Sequence, residues 1–326
     1  MKKYIITLCV LCFFSCKKEL KNTKLSGAVF GTSYSVIYDS EINYEKQFDS
    51  LFYVINKSLS TYQVNSDISK LNRNEFVEVD EHFINVYEAS KEIYNETIGV
   101  FDPTIGAVVN AWDFGPEGKV IGLDSLKIDS LMLSVGLNKL QRIQNKITKP
   151  KGTFIDFNAI AKGYGVDVIA AFLESKSINN YLVEIGGEIH CKGKNIESLK
   201  PWTVGIDKPR FDGIQNTNDY FSAVSLGDES MATSGSYRKY KVDDNGNRYA
   251  HIIDTKTGYP SKSNILSVSV ITKNCMVADA YATAFQAMEI DNVKAFLQTH
   301  PELKVLIIFE NENNEFETLA LNNFPE

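Results

Sequence analysis

The chain has 326 residues, 44% of them hydrophobic and 23% charged, a balance that excludes collagen-like, coiled-coil and wholly disordered classes. Its 34 Lys+Arg stand against 41 Asp+Glu, and the net charge of −7 argues against a nucleic-acid partner, whose phosphates demand a basic face. Three of the five cysteines (Cys9, Cys12 and Cys16) crowd the N-terminus, so Cys191 and Cys275 make neither a disulfide framework nor a metal-binding cluster and read as small buried apolar residues.

The first segment reads as an address. Met1-Lys2-Lys3 is a positive start and Tyr4 to Phe14 an apolar stretch, too short for a bilayer helix, which needs roughly 20 apolar residues. Phe13-Phe14-Ser15-Cys16 then gives way to Lys17-Lys18-Glu19. A small residue before a cysteine at that edge resembles a bacterial lipoprotein signal, with residues 1–16 as the signal and Cys16 the lipidated residue. The plainer alternative is an ordinary signal peptide with an incidental cysteine, but no small-residue cleavage site follows Cys16. Residues 17–25 read as a polar tether and 26–326 as the working domain, exported and anchored to a membrane, its periplasmic face being the expected one.

Past the tether, helical and strand patterns alternate. Val29 to Tyr38 is β-rich and interrupted at Gly31; Phe48, Leu51, Ile55 and Leu59 recur at helical spacing across Tyr44 to Leu59. Ser66 to Asn72 reads as a short helical turn, Glu81 to Asn95 as a second helix, and Ala159 to Lys176 as a third entered through a loop. Tyr181 to Ile185 is a buried strand closed by Gly186-Gly187, and Ile265 to Thr272 an alternating strand. Helices at Val277 to Met288 and Asn292 to Thr299 and a strand at Leu303 to Phe309 follow, while Thr217-Asn218-Asp219 and Asp243 to Asn247 look like surface turns. No linker interrupts the series, which predicts an α+β chain, a single compact unit of two lobes.

Four segments carry more chemistry than a fold requires. Gly99 to Gly106 holds Asp102-Pro103, an extended backbone suited to close approach by a ligand, although a turn with a buried aromatic is the plainer reading. Asp156 to Asp167 opens a helix with Lys162 near its start, favourable for phosphate through free N–H groups, the helix dipole and a mobile cation; the Walker spacing is absent. His251 lies among Ser, Thr and Asp between Ala232–Tyr237 and Gly258, whereas His82, His190 and His300 read as surface positions, and no Gly-x-Ser-x-Gly elbow supports a hydrolase triad. Asp279 and Thr283, four apart on a helix, share one face as hard oxygen donors of the kind Mg²⁺ takes, or equally as a helix-start Asp and a back-bonded Thr.

In order, Phe30-Gly31-Thr32, Leu59 to Tyr62, Phe101 to Thr104, Asp156 to Asp167, Val183 to Glu188, Thr233-Ser234-Gly235, His251 to Asp254 and Ala278-Asp279-Ala280 resemble the FAD:protein FMN transferases, the ApbE family, over roughly residues 26 to 310. The resemblance implies an ApbE-type, T-fold-like domain that cleaves FAD at its pyrophosphate with Mg²⁺, transfers FMN to a threonine hydroxyl of an exported or membrane redox protein, and releases AMP. It implies Asp279, Thr283 and the Ala159 carbonyl as metal ligands. Phe30, Tyr62, Val100, Phe101, Asp102, Asp156, Lys162 and Ile253 would line the FAD site, and His251 would take the acceptor proton. The chain departs from the family pattern at Phe30 (usually Met), Asn158 (often Gly or Ser) and Thr255 (usually Pro). An FAD pyrophosphatase, or a flavin-binding lipoprotein without catalysis, are the alternatives.

Overall fold

The alternating stretch that begins at Val29 is the second half of a hairpin. In a computed structural model, which describes residues 21–210, 220–237, 240–242, 248–313 and 315–325, strand Thr23–Val29 pairs antiparallel with Thr32–Tyr38 across the two-residue turn Phe30-Gly31. Both turn residues have positive φ (49° and 75°), the backbone twist that joins right-twisted strands. The hairpin takes in Thr23 to Leu25, which composition alone assigns to the tether; their backbone pairs with Val36 to Tyr38 even though their side chains show no apolar alternation. Cys16 and the surface turns expected at 217–219 and 243–247 lie outside the described residues.

This hairpin is one edge of an eight-stranded antiparallel sheet. Beyond it the strands run in the order Tyr181–Ile185, Glu188–Lys192, Glu229–Gly235, Ile265–Thr272, Lys304–Glu310 and Phe316–Leu321. Helices Ala161–Ser175 and Cys275–Ala287 cover one face, with Glu45–Leu59 and Glu81–Glu96 packed against them. A smaller sheet of Lys194–Asn195, Lys200–Asp207 and Tyr220–Leu226 covers part of the other, where Trp202, Val204 and Leu226 meet Met231, Ile271 and Ile308. These two layers on one sheet are the expected α+β lobes.

Sandwiching explains why strand Ile265–Thr272 is buried at every position despite its Ser/Val alternation. Val268 and Val270 join the helix-side core, Ile271 the opposite one, and a register shift between Ile265 and Ser267 returns Ile265 to the helix side. On Glu45–Leu59 the buried stripe is Phe48, Phe52, Ile55 and Leu59, and Leu51 packs only at its margin. Asp80 starts helix Glu81–Glu96 by accepting the Phe83 N–H, and Ser66 starts helix Asp67–Asn72 by accepting that of Ser69.

His82, His190 and His300 are half-buried rather than surface residues. His190 sits within strand Glu188–Lys192, sharing a 2.7 Å hydrogen bond with Ser230 Oγ and stacking on Tyr181. Cys191 and Cys275 are fully buried free thiols. Among the described residues no helix is long and apolar enough to cross a membrane.

Candidate active site

Helices Ala161–Ser175 and Cys275–Ala287 approach so closely that a Cβ on Gly163 would stand 2.4 Å from the carbonyl oxygen of Cys275. Only glycine permits that crossing, and it brings Asp279 over the start of the neighbouring helix. The N–H of Gly163, one of the donors that the first turn of helix Ala161–Ser175 leaves without an intrahelical partner, donates to Asp279 Oδ2 at 3.0 Å. Ala159, just before the N-cap of that helix, lines the cleft beside this bond. Thr283 lies one turn beyond Asp279 and lines the same cleft.

Lys162 is pinned rather than mobile. Its Nζ is 2.6 Å from Glu188 Oε1 and 3.8 Å from Asp279 Oδ1. Burial works against its charge, but Asp279 and Glu188 outweigh burial and hold the ammonium protonated. Burial in turn raises the carboxyls of Glu188 and Asp279 above the ordinary carboxylate range, and Lys162 pulls both back. The turn Gly186-Gly187 makes room for this pairing: a Cβ on Gly186 would meet Thr32 at 2.8 Å and the Lys162 stem at 3.3 Å.

The remaining walls are loops held by their own polar groups. Asp102, 7% exposed, accepts the N–H of Thr104 at 2.8 Å and its hydroxyl at 2.6 Å, while Thr104 Oγ1 accepts the Gly136 N–H. Burial raises the Asp102 carboxyl and those bonds oppose it. Asp156 accepts the Asn158 N–H at 2.8 Å and its side-chain amide at 3.1 Å, a bond that glycine or serine in place of Asn158 would not make in this form. Thr255 donates its hydroxyl to the Gly99 carbonyl at 2.7 Å, tying the His251 loop to the Gly99–Gly106 segment. Phe30, left-handed in its turn, packs edge-on against Phe52, and His251 packs against Phe114.

These walls enclose a cleft of about 880 Å³, within the range of small-molecule sites. Phe30, Tyr62, Val100, Phe101, Asp102, Asp156, Ala159, Lys162, His251, Ile253, Asp279 and Thr283 all line it. Six chain segments far apart in sequence thus converge on one concave surface, apolar at Phe30, Phe101 and Ile253 and charged around Lys162.

The donors suit a hard cation. Asp279 offers a carboxylate, Thr283 a hydroxyl and Ala159 a backbone carbonyl, leaving room for water and phosphate oxygens in the Mg²⁺ manner. Among the described residues no group of three or more His, Cys, Asp or Glu forms a metal cage, so an ion here would depend on such mixed oxygen donors.

The model of the ApbE family matches residues 30–307. The chain belongs to the ApbE family. It is 33% identical to the FAD:protein FMN transferase of Vibrio cholerae over 99% of this chain and 98% of that one. To the FAD:protein FMN transferase of Haemophilus influenzae it is 34% identical, over 92% and 90%. The solved flavin transferase ApbE from Vibrio cholerae matches its fold with a TM-score of 0.82 at 33% identity, covering 92% of this chain and 97% of that structure. Sequence reading gave no role to Glu188, which lines this ApbE-family cleft opposite Lys162, nor to two residues that support it: Gly163 at the helix crossing, and Asp167, which holds the helix bearing Asp279. The signals were there, in an acid just after Gly-Gly and an Asp one and a half turns past Lys162, but neither spacing names its partner.

Proposed function

We propose that this chain is an FAD:protein FMN transferase that cleaves the pyrophosphate of FAD, passes FMN to a threonine hydroxyl of a target protein and releases AMP. The observation that carries this is the convergence of Lys162, Asp279, Thr283 and His251 with Phe30, Tyr62 and Phe101 in one cleft. Phe30 and Phe101 give flat apolar surface for a ring, and Lys162 gives an ammonium for a phosphate. His251 takes the proton of the acceptor hydroxyl as its oxygen attacks the FMN phosphorus. The bond from that phosphorus to the bridging oxygen breaks, and AMP leaves with the electron pair. Asp279, Thr283 and the Ala159 carbonyl hold Mg²⁺, which when bound supplies charge neutralisation for the phosphates. Asp102 and Asp156 shape the loops around the substrate through the hydrogen bonds described above.

In this reading the protein is a lipoprotein anchored through Cys16, and its acceptor is an exported or membrane redox protein. The lipoprotein-like first sixteen residues support that placement.

The test is AMP release from FAD with Mg²⁺ or EDTA, by wild type and Asp279→Asn. Mg²⁺-dependent release that the variant loses while still binding FAD supports the assignment. Bound FAD without AMP in the wild type would make the chain a carrier.

A further inference from the structure

Glu188 is the most buried charge in the cleft, 2% exposed, and one of its oxygens is unused: Oε1 meets Lys162, whereas Oε2 makes no hydrogen bond within the described structure. A buried carboxylate oxygen left without a partner is costly, which points to a use for its charge. The other carboxylate near Lys162 is Asp279, 3.8 Å away against 2.6 Å for Glu188. One ammonium between two carboxylates leaves the cluster at a net charge of −1, and the nearer carboxylate takes the ammonium.

We propose that Glu188 is a positioning residue that draws Lys162 away from Asp279 and supplies the net negative charge a divalent cation needs at the Asp279–Thr283 face. The inference rests on the cation site proposed above. Without the Glu188 charge, the carboxylate left within 4 Å of the Lys162 ammonium among the described residues is that of Asp279; the pair is then neutral and occupies the oxygen a cation would take. Strand position makes the device rigid. Glu188 follows the Gly186-Gly187 turn, which the Gly187 N–H fixes by donating to Glu184 at 2.7 Å, and the Lys162 stem runs past Gly186.

Cation affinity without any turnover tests this. Mn²⁺, a hard divalent probe with the same preference for oxygen donors, is titrated at pH 8 into the full-length, FAD-free protein in detergent micelles, and free Mn²⁺ is read by electron paramagnetic resonance. Glu188→Gln keeps the shape and removes the charge, and weakens Mn²⁺ binding by at least about tenfold. Lys162→Met alone tightens it, and the double variant, restored to −1, returns to within a few-fold of wild type. A lost structural strut would not be rescued by deleting its partner. Unchanged affinity in Glu188→Gln, or no recovery in the double variant, overturns the proposal. Where Glu188→Gln does not fold, Lys162→Met decides alone, since unchanged or weaker binding contradicts it. Asp279→Asn separates the two levels. If it binds Mn²⁺ like wild type, the cation site falls and the proposal with it; if it loses binding while Glu188→Gln keeps it, only the role of Glu188 falls.

Discussion

Asp167 caps a helix other than its own: it accepts the backbone N–H of Cys275 at one carboxylate oxygen and that of Met276 at the other, each at 2.9 Å. These are orphan donors at the start of the helix that carries Asp279 and Thr283, and Asn274, at its N-cap, makes no side-chain cap bond. Asp167→Ala leaves both N–H groups unpaired and lowers unfolding free energy by about 1–3 kcal/mol. Chemical denaturation checks this, and a loss below a few tenths of a kcal/mol would show that the cap is dispensable.

The same residue gives a pH signature. Burial pushes the Asp167 carboxyl up to about 6, against the pull of its two N–H partners. A carboxyl raised in the fold binds its proton more tightly folded than unfolded, so its contribution to stability is greatest below its unfolded pKa and falls as pH rises through about 6. Relative to Asp167→Asn, which does not titrate, the wild type loses up to about 2 kcal/mol between pH 4 and pH 7. Parallel stability curves for the two proteins over that range would contradict the assignment.

Gly163→Ala forces a methyl group into the Cys275 backbone, 2.4 Å from its carbonyl oxygen and 2.8 Å from the Met276 Cα, with no flexible side chain to yield. The helices separate, at a cost of about 1–3 kcal/mol. Because the Gly163 N–H also orients Asp279, the Mg²⁺ concentration for half-maximal AMP release rises in step. A variant that is destabilised yet keeps its Mg²⁺ requirement would uncouple packing from the site.

Much of this was legible in the sequence, for reasons that vary by residue. Amphipathic spacing placed the Glu45–Leu59 and Glu81–Glu96 helices to within a residue or two at each end, because one face of each packs against the rest of the fold. Strand Glu229–Gly235 has no pattern that marks it, since Ser, Thr and Gly on a strand buried between two layers leave no alternation to see. Lys162 reads as a cation near phosphate from its place at a helix start, but its pinning by Glu188 is a contact between residues 26 apart, invisible to any local pattern. Thr255, read as a departure from the family pattern, is a link between loops 156 residues apart.

That link predicts a change in substrate affinity. Thr255→Val loses a hydrogen bond to the Gly99 carbonyl worth about 1 kcal/mol. It loosens the wall shared by Val100, Phe101 and His251, so the FAD concentration for half-maximal rate rises several-fold while the fold holds. An unchanged value would mean the loops hold their positions without it.

His251→Ala removes the proposed base from the cleft and leaves Phe30, Phe101 and Lys162 in place. FMN transfer falls about 10²–10⁴-fold while FAD still binds, measured by quenching of flavin fluorescence. Transfer within a few-fold of wild type would exclude His251 as the base.

The most direct test of the central claim is the intact mass of a candidate redox acceptor, and of the same acceptor with its target threonine changed to valine, after incubation with this protein, FAD and Mg²⁺. The expected result is a gain of one FMN on the first acceptor only, with AMP formed in equal amount. Release of AMP and free FMN with both acceptors unmodified would contradict transfer and leave a pyrophosphatase in its place.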